Sequence, residues 1–172
     1  MSKLRTAASL FFLLSAIFTL ALAFSASNLP PTVATHFDGS GRPNAWMSSS
    51  SYVAFFIAFG IGWPVFIVTL FYAVRWLPVG LINIPRRDFW LARERAPETH
   101  RYFLASGLWL ACVMLLFMLA VHFSVVSANE LSRPRLTPQS ILVPTGIFIT
   151  GLVIWIAVFL RHFLRIQPGV NG

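Results

Sequence analysis

Four stretches of this chain, 7–27, 52–74, 102–126 and 141–160, contain no Asp, Glu, Lys or Arg. A helix needs about 20 residues to cross a bilayer, at a rise of about 1.5 Å each, and every run reaches that length. Hydrocarbon offers no water to a backbone N–H or C=O, so each run must satisfy its own amides by forming a helix. The pattern predicts an all-α integral membrane protein: a four-helix transmembrane bundle with short loops, one domain over residues 1–172. Composition agrees. The chain is 57% apolar and only 10% charged, whereas a soluble domain carries about 25% charged residues because its outside faces water.

Thirteen Lys and Arg against five acids give a net charge of +8. These cations lie between the apolar runs, and no nucleic-acid-binding motif accompanies them, so they read as topology determinants rather than a nucleic-acid surface. With the N-terminus inside, the inner segments hold Lys3, Arg5, Arg75, Arg86, Arg87, Arg93, Arg95, Arg101, Arg161 and Arg165. The outer loops hold Arg42, Arg133 and Arg135. Ten against three predicts cytoplasmic termini, an outer loop over 28–51 and a basic inner loop over 75–101. The bilayer, with its anionic inner headgroups, is then the first partner. Lys3, Arg5 and the run ending "ALAFSAS" also fit a cleaved secretory leader, but this apolar stretch exceeds the usual length of about 7–15 residues, which favours a retained helix. The single cysteine, Cys112, lies inside an apolar run and has no second thiol to pair with.

Local chemistry marks the helix boundaries. Pro97 suits the first turn of the third helix, with Glu98 facing its positive end and three residues from Arg101, close enough to pair weakly. The fourth helix follows Pro138 and tolerates Pro144 in its first turn. Pro64 should kink the second helix, and Ala58 with Gly62 would admit a neighbouring helix.

The outer loop contains "THFDGSGRPNAW", residues 35–46. Pro30 and Pro31 stop the preceding helix. Asp38, Gly39 and Gly41 supply turn chemistry, Trp46 suits a membrane interface, and Ser48 to Ser51 can cap the second helix. The loop resembles domain-of-unknown-function family 1648, small bacterial membrane proteins related to the Sdp toxin-immunity proteins. The resemblance rests on Leu29-Pro30, His36-Phe37, Asp38, Gly41, Pro43 and Trp46. Ala34 departs from it, standing where the family usually has a Pro two places before the His. A second resemblance lies in "INIPRRDFWLARERAPET", residues 82–99, in the inner loop. The resemblance implies a bacterial inner-membrane location, and relatives that protect against an extracellular toxin or signal its presence through a membrane partner.

On chemistry the sequence is sparse. His36 and Asp38 are two potential metal ligands where zinc wants three or four, and the calcium-loop pattern fails at Pro43. The bland reading has His36 stacking on Trp46 and bonding a loop carbonyl, with Asp38 closing a turn. No hydrolase, zinc-protease or phosphate-loop motif is present. His122 is the intramembrane candidate for an ion or proton path, about four residues from the outer end, where water could reach it and a pH response would follow, but a packed imidazole with its hydrogen bonds satisfied is the favoured reading. In the inner loop, Phe89 and Trp90 would anchor a turn in the interface while Asp88 and Glu94 pair locally. Asn83, Pro85, Trp90, Glu94 and Arg95 form a candidate docking site for a cytoplasmic partner.

The reading is therefore a non-enzymatic membrane protein without cofactor or metal. Its loop residues His36, Phe37, Asp38, Gly39, Gly41, Pro43 and Trp46 would recognise a peptide, a toxin or a membrane-protein partner. The alternatives are an accessory structural subunit of a larger membrane complex and, third, a membrane enzyme or metal-dependent protein using His36 and Asp38.

Overall fold

The computed structural model of the chain describes residues 2–165. Its long helices are α1 (Ser2–Ala26), a second span built from α2 (Ser49–Ile57) and α3 (Trp63–Ala73), α5 (Ala96–Asn129) and α6 (Pro138–Leu164). A four-residue helix, α4 (Arg87–Trp90), sits in the inner loop. All four long segments have the length and composition to cross a membrane. They run several residues past the uncharged stretches at most ends, since Lys3, Arg5, Glu98 and Arg101 lie within helices. Large apolar side chains cover the outside, with Phe12 at 70% exposure, Phe24 at 73% and Ile147 at 69%. That is the inverse of a water-soluble fold and suits a lipid-facing surface.

The longest helix, α5, is the axis. α1, α3 and α6 each pack against it. Phe11, Phe18 and Leu22 of α1 join Leu108, Ala111, Cys112 and Leu115 of α5 in the main core. A second core at the inner end gathers Ile82, Ile84, Trp90, Phe103 and Phe163.

The second span is not a simple Pro kink. Residues Ala58–Gly62 form a π turn in which the Trp63 N–H reaches back to the Ala58 carbonyl. A proline has no N–H and its ring collides with the carbonyl four residues earlier, so the wider turn ahead of Pro64 relieves that clash. The close approach also differs from the spacing argument. Gly60 is the buried glycine, and a Cβ there would stand 2.2 Å from Cζ of Phe18, whereas nothing lies within 4 Å of a Cβ on Gly62. Ala58 faces outward.

The segment 28–51, expected as an outer loop, holds a β-hairpin: β1 (Thr32–Phe37) pairs antiparallel with β2 (Pro43–Ser48). The register sets Val33 against Met47 and Ala34 against Trp46, with an irregularity before His36. β2 leads straight into the second span, where Ser48 caps α2 by accepting from the Ser51 N–H at 3.2 Å.

Candidate functional site

Residues 38–42 build the hairpin turn around one carboxylate. Asp38 Oδ1 accepts from the Ser40 N–H (2.8 Å), the Ser40 hydroxyl (2.7 Å) and the Arg42 N–H (3.0 Å). The Asp38 N–H donates to the Arg42 carbonyl at 2.8 Å, closing the strands. The Ser40 hydroxyl foremost, then the Arg42 amide, holds the Asp38 carboxyl below its ordinary range. Gly41 takes φ 77°, the left-handed region that glycine enters without steric cost. It is also the docking point. Its carbonyl accepts from the Leu136 N–H at 3.0 Å, and a Cβ at Gly41 would lie 2.0 Å from the Leu136 oxygen. The hairpin tip is therefore pinned to the α5–α6 loop.

A second clamp holds β1. Asn129, the last residue of α5, accepts from the Ala34 N–H at 2.8 Å and donates to the Ala34 carbonyl at 2.9 Å. Its amide nitrogen also reaches the Val125 carbonyl at 2.9 Å, which fixes the rotamer. Ala34 is fully buried. A proline at 34 would have no N–H to give Asn129, so the clamp uses a donor that a Pro at this position would lack.

The clamp also determines what β2 exposes. In an antiparallel pair the residues opposite one another either exchange both backbone bonds or turn both away. Ala34 turns its N–H and C=O toward Asn129, so Trp46, directly opposite, turns its own toward the free edge of β2. Ser49 confirms the alternation, since its N–H donates to the Pro31 carbonyl at 3.1 Å, two residues beyond the bonded pair Val33–Met47. The Trp46 side chain is 52% exposed, and Asn44 and Ala45 beside it are exposed too. His36 is exposed, and its Nδ1 pairs with Asn44 Oδ1 across the strands rather than stacking on Trp46 or bonding a carbonyl. Phe37 and Pro43 face each other at the strand ends, half-buried. Gly39 is exposed with open space around it. Among the described residues no three His, Cys, Asp or Glu side chains gather closely enough to hold a metal.

His122 is not wet. It is fully buried among Phe18, Phe56 and Phe123 and forms the centre of a polar chain that ties three helices together. Ser25 Oγ of α1 donates to the Ala21 carbonyl at 2.9 Å, so it accepts from His122 Nε2 at 3.1 Å. That leaves His122 Nδ1 as the acceptor for the Tyr52 hydroxyl of α2, at 2.8 Å. One neutral tautomer satisfies every member, as a buried polar group requires.

The inner-loop residues do not form one surface. Trp90 is 7% exposed, with its Nε1 donating to the Phe163 carbonyl at 3.0 Å and its own carbonyl accepting from Thr99 at 2.7 Å. It serves the inner core and is not an interface anchor. Arg95 lies over the Phe89 ring at 3.8 Å, Pro85 is half-buried, and only Asn83 and Glu94 are exposed. Among the described residues the ion pair found is Arg87–Asp88 at 3.4 Å, so neither Glu94 nor the Glu98–Arg101 couple forms one.

These features define a class: a helical chain with four segments fit to cross a membrane, carrying a β-hairpin clamped across one end of the bundle. Residues 10–61, from within α1 through the hairpin to the π turn of the second span, match the family model described as domain of unknown function (DUF1648). The match spans the whole hairpin, the loop on which the resemblance rested, and ends before the inner segment 82–99. Neither a curated protein nor a solved structure gives a match.

Proposed function

We propose that this chain is a multi-pass protein of the bacterial inner membrane, both termini cytoplasmic, whose outer hairpin recognises an extended peptide segment of a toxin or membrane partner. It does so without catalysis, in the manner of the Sdp-immunity relatives. The observation that carries the reading is the free edge of β2. An exposed strand edge with outward-turned N–H and C=O at Trp46 is a template for strand addition, and an exposed aromatic beside it supplies the anchor that such recognition uses. β1 has no such freedom, because Asn129 occupies its edge. His36 and Asn44, joined across the strands, present polar atoms next to that edge.

The test is a mild-detergent capture from native membranes, comparing wild type with Trp46→Pro and with His36→Ala plus Asp38→Ala. Trp46→Pro removes the outward N–H and the indole while leaving the ladder to β1 intact, since that N–H takes no part in it. A polypeptide held by wild type and lost from Trp46→Pro at equal abundance supports recognition at the edge. Identical partners on all three chains would sink it.

A second reading has its own support. The double clamp at Ala34 and Gly41 makes the hairpin a lid over the helix ends, as an accessory structural subunit would need. Under that reading the His36 and Asp38 replacements lower abundance in the membrane, whereas under the first they leave it unchanged.

A further inference from the structure

At the inner end of the bundle, between α1 and α6 and floored by α5, lies a cleft of about 990 Å³. Its lining is segregated. Lys3, Arg5, Arg101, Glu98 and His162 stand at one end, and Trp109, Val113, Ile154 and Trp155 line the rest. None of the three cations has an ion-pair partner among the described residues. The walls are fixed rather than loosely filled. Trp155 Nε1 donates to the Ser106 carbonyl at 2.8 Å. The Tyr102 ring stacks on His162 at 3.6 Å while its hydroxyl donates to the Val158 carbonyl at 3.3 Å. At the deep end Gly151 approaches Val113 so closely that a Cβ would stand 3.3 Å from the Val113 methyl.

The geometry points to this cleft as a binding site for one anionic glycerophospholipid of the surrounding bilayer, its headgroup on Lys3, Arg5 and Arg101 and an acyl chain along Trp109 and Trp155. Two arguments select that occupant. The lining residues run along α5 from Glu98 to Val113, about 22 Å at the helical rise, which outreaches one leaflet of hydrocarbon at about 15 Å. The charge is complementary, since three cations against one acid surround the polar end and basic pockets between inner helix ends are where anionic headgroups bind. The site lies away from the hairpin, and it rests on the proposed placement of this end of the bundle at the inner leaflet.

The experiment is native mass spectrometry of the detergent-extracted chain titrated with phosphatidylglycerol and, separately, phosphatidylcholine. Wild type should retain one phosphatidylglycerol with at least tenfold preference. Arg5→Gln plus Arg101→Gln should weaken that binding about 30-fold, two cations' share at the membrane surface, without touching the packed core. Ala105→Phe, which projects a ring into the cleft, should lower retention of both lipids. Glycerophosphoglycerol, the headgroup without chains, should fail to displace the lipid. Equal retention of the two lipids by wild type, a preference unchanged in both variants, full displacement by the free headgroup, or a lipid-free dimer would each overturn the assignment. Recovery of the chain in the aqueous fraction without detergent would overturn the membrane placement as well. A detergent-dependent chain that fails the lipid titration overturns the cleft alone.

Discussion

Asn129 holds Ala34 by both ends of its amide, standing against β1 as a third strand would. The two residues are 95 positions apart, so this contact closes one end of the bundle by joining the hairpin to the helix that every other span packs against. Replacing Asn129 by Ala would leave a buried N–H and C=O at Ala34 without partners. The expected loss is about 1–3 kcal/mol of unfolding free energy in detergent. Asn129→Asp, which can still accept from the Ala34 N–H, should fall between. Stability equal to wild type in Asn129→Ala would show that the hairpin is not held there.

Gly41 and Gly39 lie two residues apart in one turn and should respond oppositely. Gly41→Ala combines a left-handed φ of 77° with a Cβ 2.0 Å from the Leu136 oxygen, and backbone cannot yield as a side-chain tip would. The tip should lift from the α5–α6 loop and become open to proteolytic cleavage between 38 and 42. Gly39→Ala meets open space and should leave the digestion pattern unchanged. Equal susceptibility of the two variants would remove the docking role of Gly41.

The Asp38 turn gives a pH dependence with a definite sign. Its carboxyl titrates below the ordinary value of 3.8 in the folded chain, because Ser40 and Arg42 bond the ionised form. A depressed carboxylate stabilises above its unfolded pKa and loses that contribution as pH falls through the folded one. Amide hydrogen exchange at Ser40 and Arg42 should therefore be slow and flat above about pH 5 and less protected as acid takes the site below 3.8. Asp38→Asn should abolish the acid-linked change. Protection that fell on raising the pH instead, after allowance for base-catalysed exchange, would contradict the assignment.

How much of this was legible follows from how far each constraint reaches along the chain. The four helices were legible because a run without charge has one solution in hydrocarbon, and the Ser48 cap because it is set three residues away. The hairpin was not. Its strands carry Pro43, Asn44 and Gly-rich flanks that strands usually avoid, and what holds the strand geometry is a side-chain amide supplied by Asn129 and a backbone N–H supplied by Leu136. Trp90 was misplaced for the same reason, since the Phe163 carbonyl that claims its N–H lies 73 residues on. The small-residue contact was one turn position off: four-residue spacing assumes a regular helix, and the π turn at Ala58–Gly62 rotates Gly60, not Gly62, toward Phe18. Gly60→Ala should accordingly destabilise the chain while Gly62→Ala does not.

The Tyr52–His122–Ser25 chain makes the last prediction. Three helices meet at one imidazole, and its tautomer is dictated from both sides: Ser25 already donates to Ala21, so it receives the Nε2 proton, and Nδ1 is left to accept from Tyr52. Tyr52→Phe keeps the ring that packs on Phe56 at 4.5 Å but strips the donor, leaving Nδ1 unpaired in a fully buried position. The cost should be about 1–3 kcal/mol, the penalty for a buried acceptor that loses its donor. His122→Phe removes the acceptor and donor together. It takes the acceptor from the Tyr52 hydroxyl, which is also buried, while Ser25 keeps its bond to the Ala21 carbonyl. The single change at Tyr52 and the change at His122 should therefore be of similar size, and the double variant should be less destabilised than the two costs added. Thermal unfolding of the four chains in one detergent measures this coupling, and strict additivity would mean that the three side chains do not act as one unit.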